Sequence, residues 1–236
     1  MVKIVNLNLR RGNSLLAKDF CLTVDDGERI GITGPSGCGK STLLKSILAG
    51  HVSESSDYEF FEISQKAKSY MPQSDGLLPW FTLEKNFQLF DRHDETKTIA
   101  KLFKIDESLN LFPHQLSGGE YQRSILARSI LSHPSIFLAD EPLTELDILN
   151  KWQLLSYWSN TISQQNASLI LVSHDIETLL YLCDRVLILS DKPSILKKEI
   201  KLKVIQPRPI EYLISEDFKN SKSEMLDLIT LKAHKN

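Results

Sequence analysis

The stretch Gly34-Pro35-Ser36-Gly37-Cys38-Gly39-Lys40-Ser41-Thr42 constrains this chain more than any other. It follows the apolar run Arg29 to Thr33 and opens a helical pattern that continues from Thr42 to Ala49. A glycine-rich loop in that setting is a phosphate cradle, because its backbone N–H groups can turn inward and converge on phosphate oxygens. Lys40 adds a cation for the β- and γ-phosphates of a nucleotide, and the Ser41 hydroxyl can ligate Mg²⁺. Cys38 lies inside the loop, so a bulky thiol reagent is expected to reach it and bound nucleotide to protect it.

The rest of the chain is patterned to support such a loop. Strand-like runs recur at Ile4 to Leu9, Ile136 to Ala139, Leu169 to Val172 and Arg185 to Leu189, with helical patterns at Gly118 to Leu131 and Asp147 to Ser163 between them. Short, uninterrupted apolar runs alternating with helices indicate parallel strands covered on both faces, an α/β layer architecture. Between Gln73 and Ser117 there is no clear strand, and the Leu-, Phe- and Lys-rich composition reads as a mostly helical insertion. Beyond Leu189, Ile200, Leu202 and Val204 alternate with Lys201 and Lys203, as in an antiparallel strand with one wet face. Pro207-Arg208-Pro209 then breaks the pattern, and Glu211 to Asn236 reads as amphipathic helical pieces. At 236 residues the chain fits one large domain.

Charge and cysteine content narrow the partners. Lys and Arg total 28 against 30 Asp and Glu, which leaves no global basic footprint for nucleic acid, so any anion site must be local. Cys21, Cys38 and Cys183 show no metal-ligand spacing, and their odd number argues against a complete disulfide framework and for a reducing compartment. No apolar run approaches the roughly 20 residues a spanning helix needs. The opening residues alternate in polarity without the continuous apolar core of a secretory signal.

Two further segments carry chemistry. Ile136 to Ala139 ends in Asp140 and Glu141, with Pro142 preventing regular continuation, which places two carboxylates where α/β folds bind ligands. Asp140 is assigned to Mg²⁺ through water and Glu141 to the attacking water. Ser117-Gly118-Gly119-Glu120 has the S-x-x-E form of a capping box at a helix start. Two glycines there cost helix propensity but strip side chains from the positive end of the helix, so an anion can come close.

The order of these motifs resembles the ABC ATPase family: Leu116-Ser117-Gly118-Gly119-Glu120 followed by Tyr121-Gln122-Arg123, then Leu138-Ala139-Asp140-Glu141-Pro142. The pattern continues with Gln73, resembling the family's Q-loop, Thr144-Glu145-Leu146-Asp147, resembling its D-loop, and His174, resembling its switch histidine. The resemblance spans about residues 4–189 and implies a P-loop NTPase of ABC type, with a mixed sheet core, a helical subdomain at about 74–130 and an antiparallel β subdomain. A C-terminal strand and helical tail would occupy about 191–236.

It also implies ATP and Mg²⁺, with Gly34 to Thr42, Gln73, Ser117 to Glu120 and Asp147 at the nucleotide, and Ser41, Gln73 and Asp140 at the metal. Catalysis would rest on Glu141, Lys40 and His174, the last beside the γ-phosphate, while Gln73 would sense Mg²⁺ and a membrane partner. In this family the loop of one subunit is covered by the signature helix of another. One loop and one signature in this chain therefore imply pairing with a second copy or a paralogue. Separate multi-span permease subunits, a solute-binding protein and a position on the cytoplasmic face of the plasma membrane are implied as well, with no role for nucleic acid.

Asp75-Gly76-Leu77-Leu78-Pro79-Trp80-Phe81-Thr82 and the stretch Ser173 to Pro193 resemble importers of nitrate, sulfonates and taurine. An exporter, a lipid transporter and a soluble non-transport ATPase of the same family are the alternatives. The family's usual adenine-stacking aromatic is missing from Leu9-Arg10-Arg11-Gly12-Asn13, where Arg11, with Arg10 close behind, is the candidate to replace it.

Overall fold

The computed structural model describes residues 2–63, 66–73, 76–90, 93–143, 148–203 and 206–230. In chain order the elements are β1 (Val2–Arg11), β2 (Ser14–Val24), β3 (Arg29–Thr33), α1 (Lys40–Ala49), β4 (Phe60–Ile63), β5 (Lys68–Met71), α2 (Leu83–Gln88) and α3 (His93–Leu102). They continue with α4 (Gly118–Leu131), β6 (Ile136–Asp140), α5 (Ile148–Gln164), β7 (Ser168–Val172), α6 (Ile176–Leu182), β8 (Arg185–Leu189), β9 (Leu196–Lys201) and α7 (Glu216–Thr230).

A six-stranded sheet in the order β5-β6-β7-β3-β8-β9 forms the centre, parallel except for β9, which runs antiparallel to β8. β3, β6 and β7 are buried at every position, as their unbroken apolar runs predict. Their alternating side chains feed two cores. Ile30, Ile32, Leu138, Ile170, Val172 and Leu187 face α1 and a three-stranded antiparallel sheet, β2-β1-β4. Phe137, Ala139, Leu169, Leu171, Val186 and Ile188 face the other helices, around the fully buried Trp158.

Gly31 shows why one β3 residue carries no side chain. An added Cβ would stand 2.8 Å from Leu179 Cδ2 and 3.2 Å from Cys183 Sγ, so α6 rests directly on the strand backbone. At the start of β3 the buried Arg29 guanidinium donates to Ser159 Oγ and O, Ser163 Oγ and Gln206 Oε1, tying the strand to α5 and to the returning C-terminal segment. Burial pulls its pKa down to about 10, partly offset by Asp184, so it stays charged at neutral pH.

The sequence misses β2, β4 and β5. β2 does not alternate: Leu16 and Ala17 are buried side by side, Asp19 has a φ of 49°, and the β1–β2 register shifts between Ile4 and Leu7 and again before Leu9. Such bulges destroy the period of 2 by which a strand is recognised. β4 and β5 each bury a single side chain, Ile63 and Met71, and offer no apolar run to read. The antiparallel strand expected after Leu189 is β9, ending at Lys201; Val204 lies outside the described residues. Among the described residues no helix is long and apolar enough to cross a membrane.

Gly31→Ala should lower unfolding free energy by about 1–3 kcal/mol, the range for overpacking a filled core. Urea titration checks it; an unchanged midpoint would mean that α6 can retreat from β3 without cost.

Candidate active site

The candidate residues issue from the C-terminal ends of neighbouring parallel strands. Ile32 pairs with Val172, Val172 with Asp140, and Met71 with Ala139, so the phosphate loop, His174, Asp140, Glu141 and Gln73 follow four adjacent strands in spatial order β3, β7, β6, β5. This is where open α/β sheets bind ligands. Two hydrogen bonds extend the ladder beyond the strands, from Ser173 N–H to Ile32 O at 3.2 Å and from Glu141 N–H to Val172 O at 3.0 Å.

Gly39 stands at the N-terminus of α1 with a φ of 108°, and a Cβ there would meet Leu16 Cβ at 3.0 Å, so both conformation and space demand glycine. Lys40 is buried, and its Nζ donates to the carbonyls of Gly34 at 2.7 Å and Pro35 at 2.9 Å, closing the loop on itself. In front of the loop lies a cleft of about 440 Å³ lined by Gly37, Gly39, Lys40, Ser41 and Thr42 together with Arg11, Ser14, Leu16 and Lys192. Three cations and no acidic side chain among the described lining residues suit a polyanion. Arg11 lies in this lining and Arg10 does not, so of the two arginines only Arg11 meets the cleft.

Cys38 departs from expectation. Its side chain is 1% exposed and packs into the apolar core beneath the loop, while its carbonyl accepts a hydrogen bond from Ser194 Oγ at 3.0 Å. The loop turns its backbone to the cleft and this side chain to the core. Cys21, by contrast, is exposed.

Asp140 is buried at the end of β6 beside Tyr70, whose pKa burial and the Asp140 charge together push up to about 12. The next residue, Glu141, has a φ of 52°, a backbone conformation unfavourable for a side-chain-bearing residue. Its Oε2 accepts from His174 N–H at 3.3 Å and Ser173 Oγ at 3.4 Å. Its Oε1 is buried, accepts no hydrogen bond from the described residues, and stands 3.5 Å from His174 Nε2. A buried carboxylate oxygen with spare acceptor capacity beside an exposed imidazole fits a water-orienting pair. Asp175 caps α6 and pairs with Lys151 and Thr178; burial raises its pKa, but those hydrogen bonds and the Lys151 charge outweigh it and the net direction is down.

Ser117 and Glu120 form the capping box read from the sequence. Ser117 Oγ accepts from Glu120 N–H at 3.3 Å, and Glu120 Oε2 accepts from Ser117 N–H at 2.9 Å. Ser108 Oγ donates to Glu120 Oε1 at 2.5 Å, and the hydrogen bonds from Ser108 and Ser117 hold the Glu120 carboxyl at about 2. Gly118 and Gly119 occupy the first turn, where helical N–H groups have no intrahelical partner. Among the described residues lining the loop's cleft, none belongs to Ser117–Glu120.

Gln73 is exposed just past β5, whereas Asp147, with Thr144 to Leu146, lies outside the described residues. The apolar residues after Gln73 divide: Leu77 is buried, and Trp80 is 66% exposed. Sequence reading missed Ser14, Leu16 and Lys192 as cleft residues. The signal for Lys192 was available, since it follows the C-terminal end of a parallel strand that pairs with β3 through Thr33 and Ile188.

A family model described as ABC transporter matches residues 17–144, more than half of the chain. An aliphatic sulfonates import ATP-binding protein SsuB from Bacillus cereus is 33% identical over 226 residues, covering 91% of this chain and 88% of the relative. A protein of the same description from Rhodococcus jostii, SsuB 1, is 33% identical over 212 residues, covering 87% and 84%. Among solved structures, the dimeric ATP-binding cassette MJ0796 bound to ADP and Pi superposes with a TM-score of 0.72 at 24% identity, covering 87% of this chain and all of that one.

Two outcomes follow from the geometry. A bulky maleimide should modify Cys21 in the folded protein and leave Cys38 unmodified until it unfolds, as peptide mapping would show. Glu120, held from the usual 4.5 down to about 2, should contribute stability above pH 4.5 that is lost as pH falls through about 2. Glu120→Gln should therefore be less stable than wild type at neutral pH, with the difference closing in acid; a difference independent of pH would remove the carboxylate from this role.

Proposed function

Because the chain belongs to the ABC transporter ATP-binding family, we propose that this ATPase drives import of a small sulfonate-type solute through separate membrane subunits. The observation that carries the reading is the row of chemistry along the sheet: phosphate loop, buried acid, Glu141–His174 pair and Gln73 on four adjacent strands. The sulfonate assignment is supported by relatives described as aliphatic sulfonates import ATP-binding proteins over most of their length.

In this reading the N–H groups of the Gly34 to Thr42 loop and the Lys40 ammonium hold the phosphates. Ser41 and Asp140 supply hard oxygen donors for Mg²⁺, which when bound neutralises charge on the phosphate oxygens. Gln73 stands at the same edge to complete that shell and to meet a permease subunit. Glu141 Oε1 accepts a hydrogen bond from the attacking water and polarises it, while His174 Nε2 stands beside that water and the γ-phosphate.

The α4 N-terminus, with Ser117, Gly118, Gly119 and Glu120, covers the nucleotide of a second subunit, which agrees with its absence from the chain's own cleft. Asp147 is assigned to the nucleotide as well. The assembly is a head-to-tail dimer on the cytoplasmic face of the membrane, supplied by a solute-binding protein. The whole chain forms one ATPase domain, with a helical subdomain at about residues 74–130.

Glu141→Gln should bind ATP with near wild-type affinity and hydrolyse it at least about 100-fold more slowly, the scale for losing a general base. With ATP and Mg²⁺ it should elute as a dimer and, purified in mild detergent, retain a multi-span membrane protein. Wild-type turnover would remove Glu141 from its role, and a dimer that brings down no membrane protein would favour a non-transport ATPase.

A further inference from the structure

Part of the cleft's lining beside the phosphate loop is built from residues to which hydrolysis gives no role. Arg11 and Ser14 flank the tight β1–β2 turn, Leu16 lies further along β2, and Lys192 comes from the β8–β9 connection. That connection is fastened to the phosphate loop itself. Ser194 is fully buried; its N–H donates to Leu16 O at 2.8 Å, its carbonyl accepts from Lys18 N–H at 2.9 Å, and its Oγ donates to Cys38 O at 3.0 Å. The connection is also closed on itself by Ser190 N–H to Ile195 O and Ile195 N–H to Ser190 Oγ, both at 3.0 Å. The chain at Lys192 is thus anchored beside the phosphate loop, two residues from the hydrogen bond that joins the two loops, with the Lys192 side chain itself exposed.

We propose that Lys192 is a nucleotide-contacting residue which, with Arg11, forms a cationic platform for the nucleoside half of the nucleotide and accepts guanine as well as adenine. The proposal rests on the reading of this cleft as a nucleoside triphosphate site. With the phosphates on Gly37 to Thr42, the sugar and base have the wall of Arg11, Ser14, Leu16 and Lys192 to lie against. No aromatic side chain is among the described residues lining it. A guanidinium plane can stack on the π-face of either purine. An ammonium donates to ring acceptors, of which guanine offers N7 and O6, whereas adenine pairs its N7 with an amino donor. None of the described lining residues penalises guanine.

The test compares binding of ATP, GTP and inorganic tripolyphosphate, with Mg²⁺, to wild type, Lys192→Ala, Lys192→Arg and Arg11→Ala. Titrations at about 0.15 M salt leave exposed charges more than about 8 Å apart largely screened. Wild type should bind ATP and GTP within about fivefold of each other, and Lys192→Ala should weaken both by about two- to fivefold, as should Arg11→Ala. Lys192→Arg should restore most of the loss, and Lys192→Ala and Arg11→Ala should each lose more affinity for the nucleotides than for tripolyphosphate. An equal loss for tripolyphosphate would make Lys192 a phosphate ligand and overturn the proposal. So would unchanged nucleotide binding in Lys192→Ala, or a wild-type preference for ATP well beyond tenfold. If wild type bound neither nucleotide nor tripolyphosphate, the reading of the cleft itself would fall, an outcome distinct from a Lys192 variant that is silent in a functioning site.

Discussion

Backbone pairing of β3, β7 and β6 sets Ile32, Val172 and Asp140 side by side, and the chemistry of the protein depends on that row. Side chains alternate along a strand, so a slip of one residue would turn Asp140 from its present face and move Glu141 away from Val172 O. The register resists slipping because both faces of these strands are buried. Ile30, Ile32, Ile170 and Val172 fill one core, and Phe137, Leu169 and Leu171 fill the other. The same hydrophobic burial that stabilises the sheet therefore fixes the spacing between phosphate loop, acid and histidine. Glu141 is the point where the row departs from comfortable backbone geometry, with a φ of 52° held by its N–H to Val172 O and by the contacts of its carboxylate.

The parts legible in the sequence are those whose signal is local. β3 and β8 coincide with the runs Arg29 to Thr33 and Arg185 to Leu189, and α4 with Gly118 to Leu131, because unbroken burial and a capping box leave their marks within a few residues. The antiparallel sheet was largely illegible, since β2 carries a bulge and β4 lies at an edge with one buried residue. Side-chain direction within the phosphate loop was illegible too. Nothing in Gly-Cys-Gly says that the cysteine faces the core, and only the packing of Leu16 against Gly39 and the Ser194 bond to Cys38 O decide it. Lys192 was legible only as a residue past a strand end; its place at the cleft depends on hydrogen bonds among residues about 155 and 180 positions apart.

Several contacts join the segment after Gln73 to α4. Asn86 is fully buried, accepts from Leu78 N–H at 2.8 Å, and donates to the carbonyls of Leu78, Phe81 and Thr82 between 3.0 and 3.3 Å. One amide side chain thereby fixes the backbone under the exposed Trp80 and its edge-on neighbour Phe81. Arg128, on α4, donates to Gly76 O at 2.5 Å and lies 5.7 Å over the Phe90 ring. Gly76 in turn lies so close to α4 that a Cβ would meet Ile125 Cδ1 at 2.8 Å.

Stripping a hydrogen bond from a charged group in a partly buried setting costs about 1–3 kcal/mol, so sliding this segment along α4 without Arg128 is unfavourable. The segment and α4 therefore hold each other in place, and α4 is in turn seated on the sheet: Ser69 Oγ of β5 donates to Ser129 Oγ at 3.1 Å, and Ile125, Leu126 and Ile130 fill the core that Phe137, Leu169 and Leu171 line.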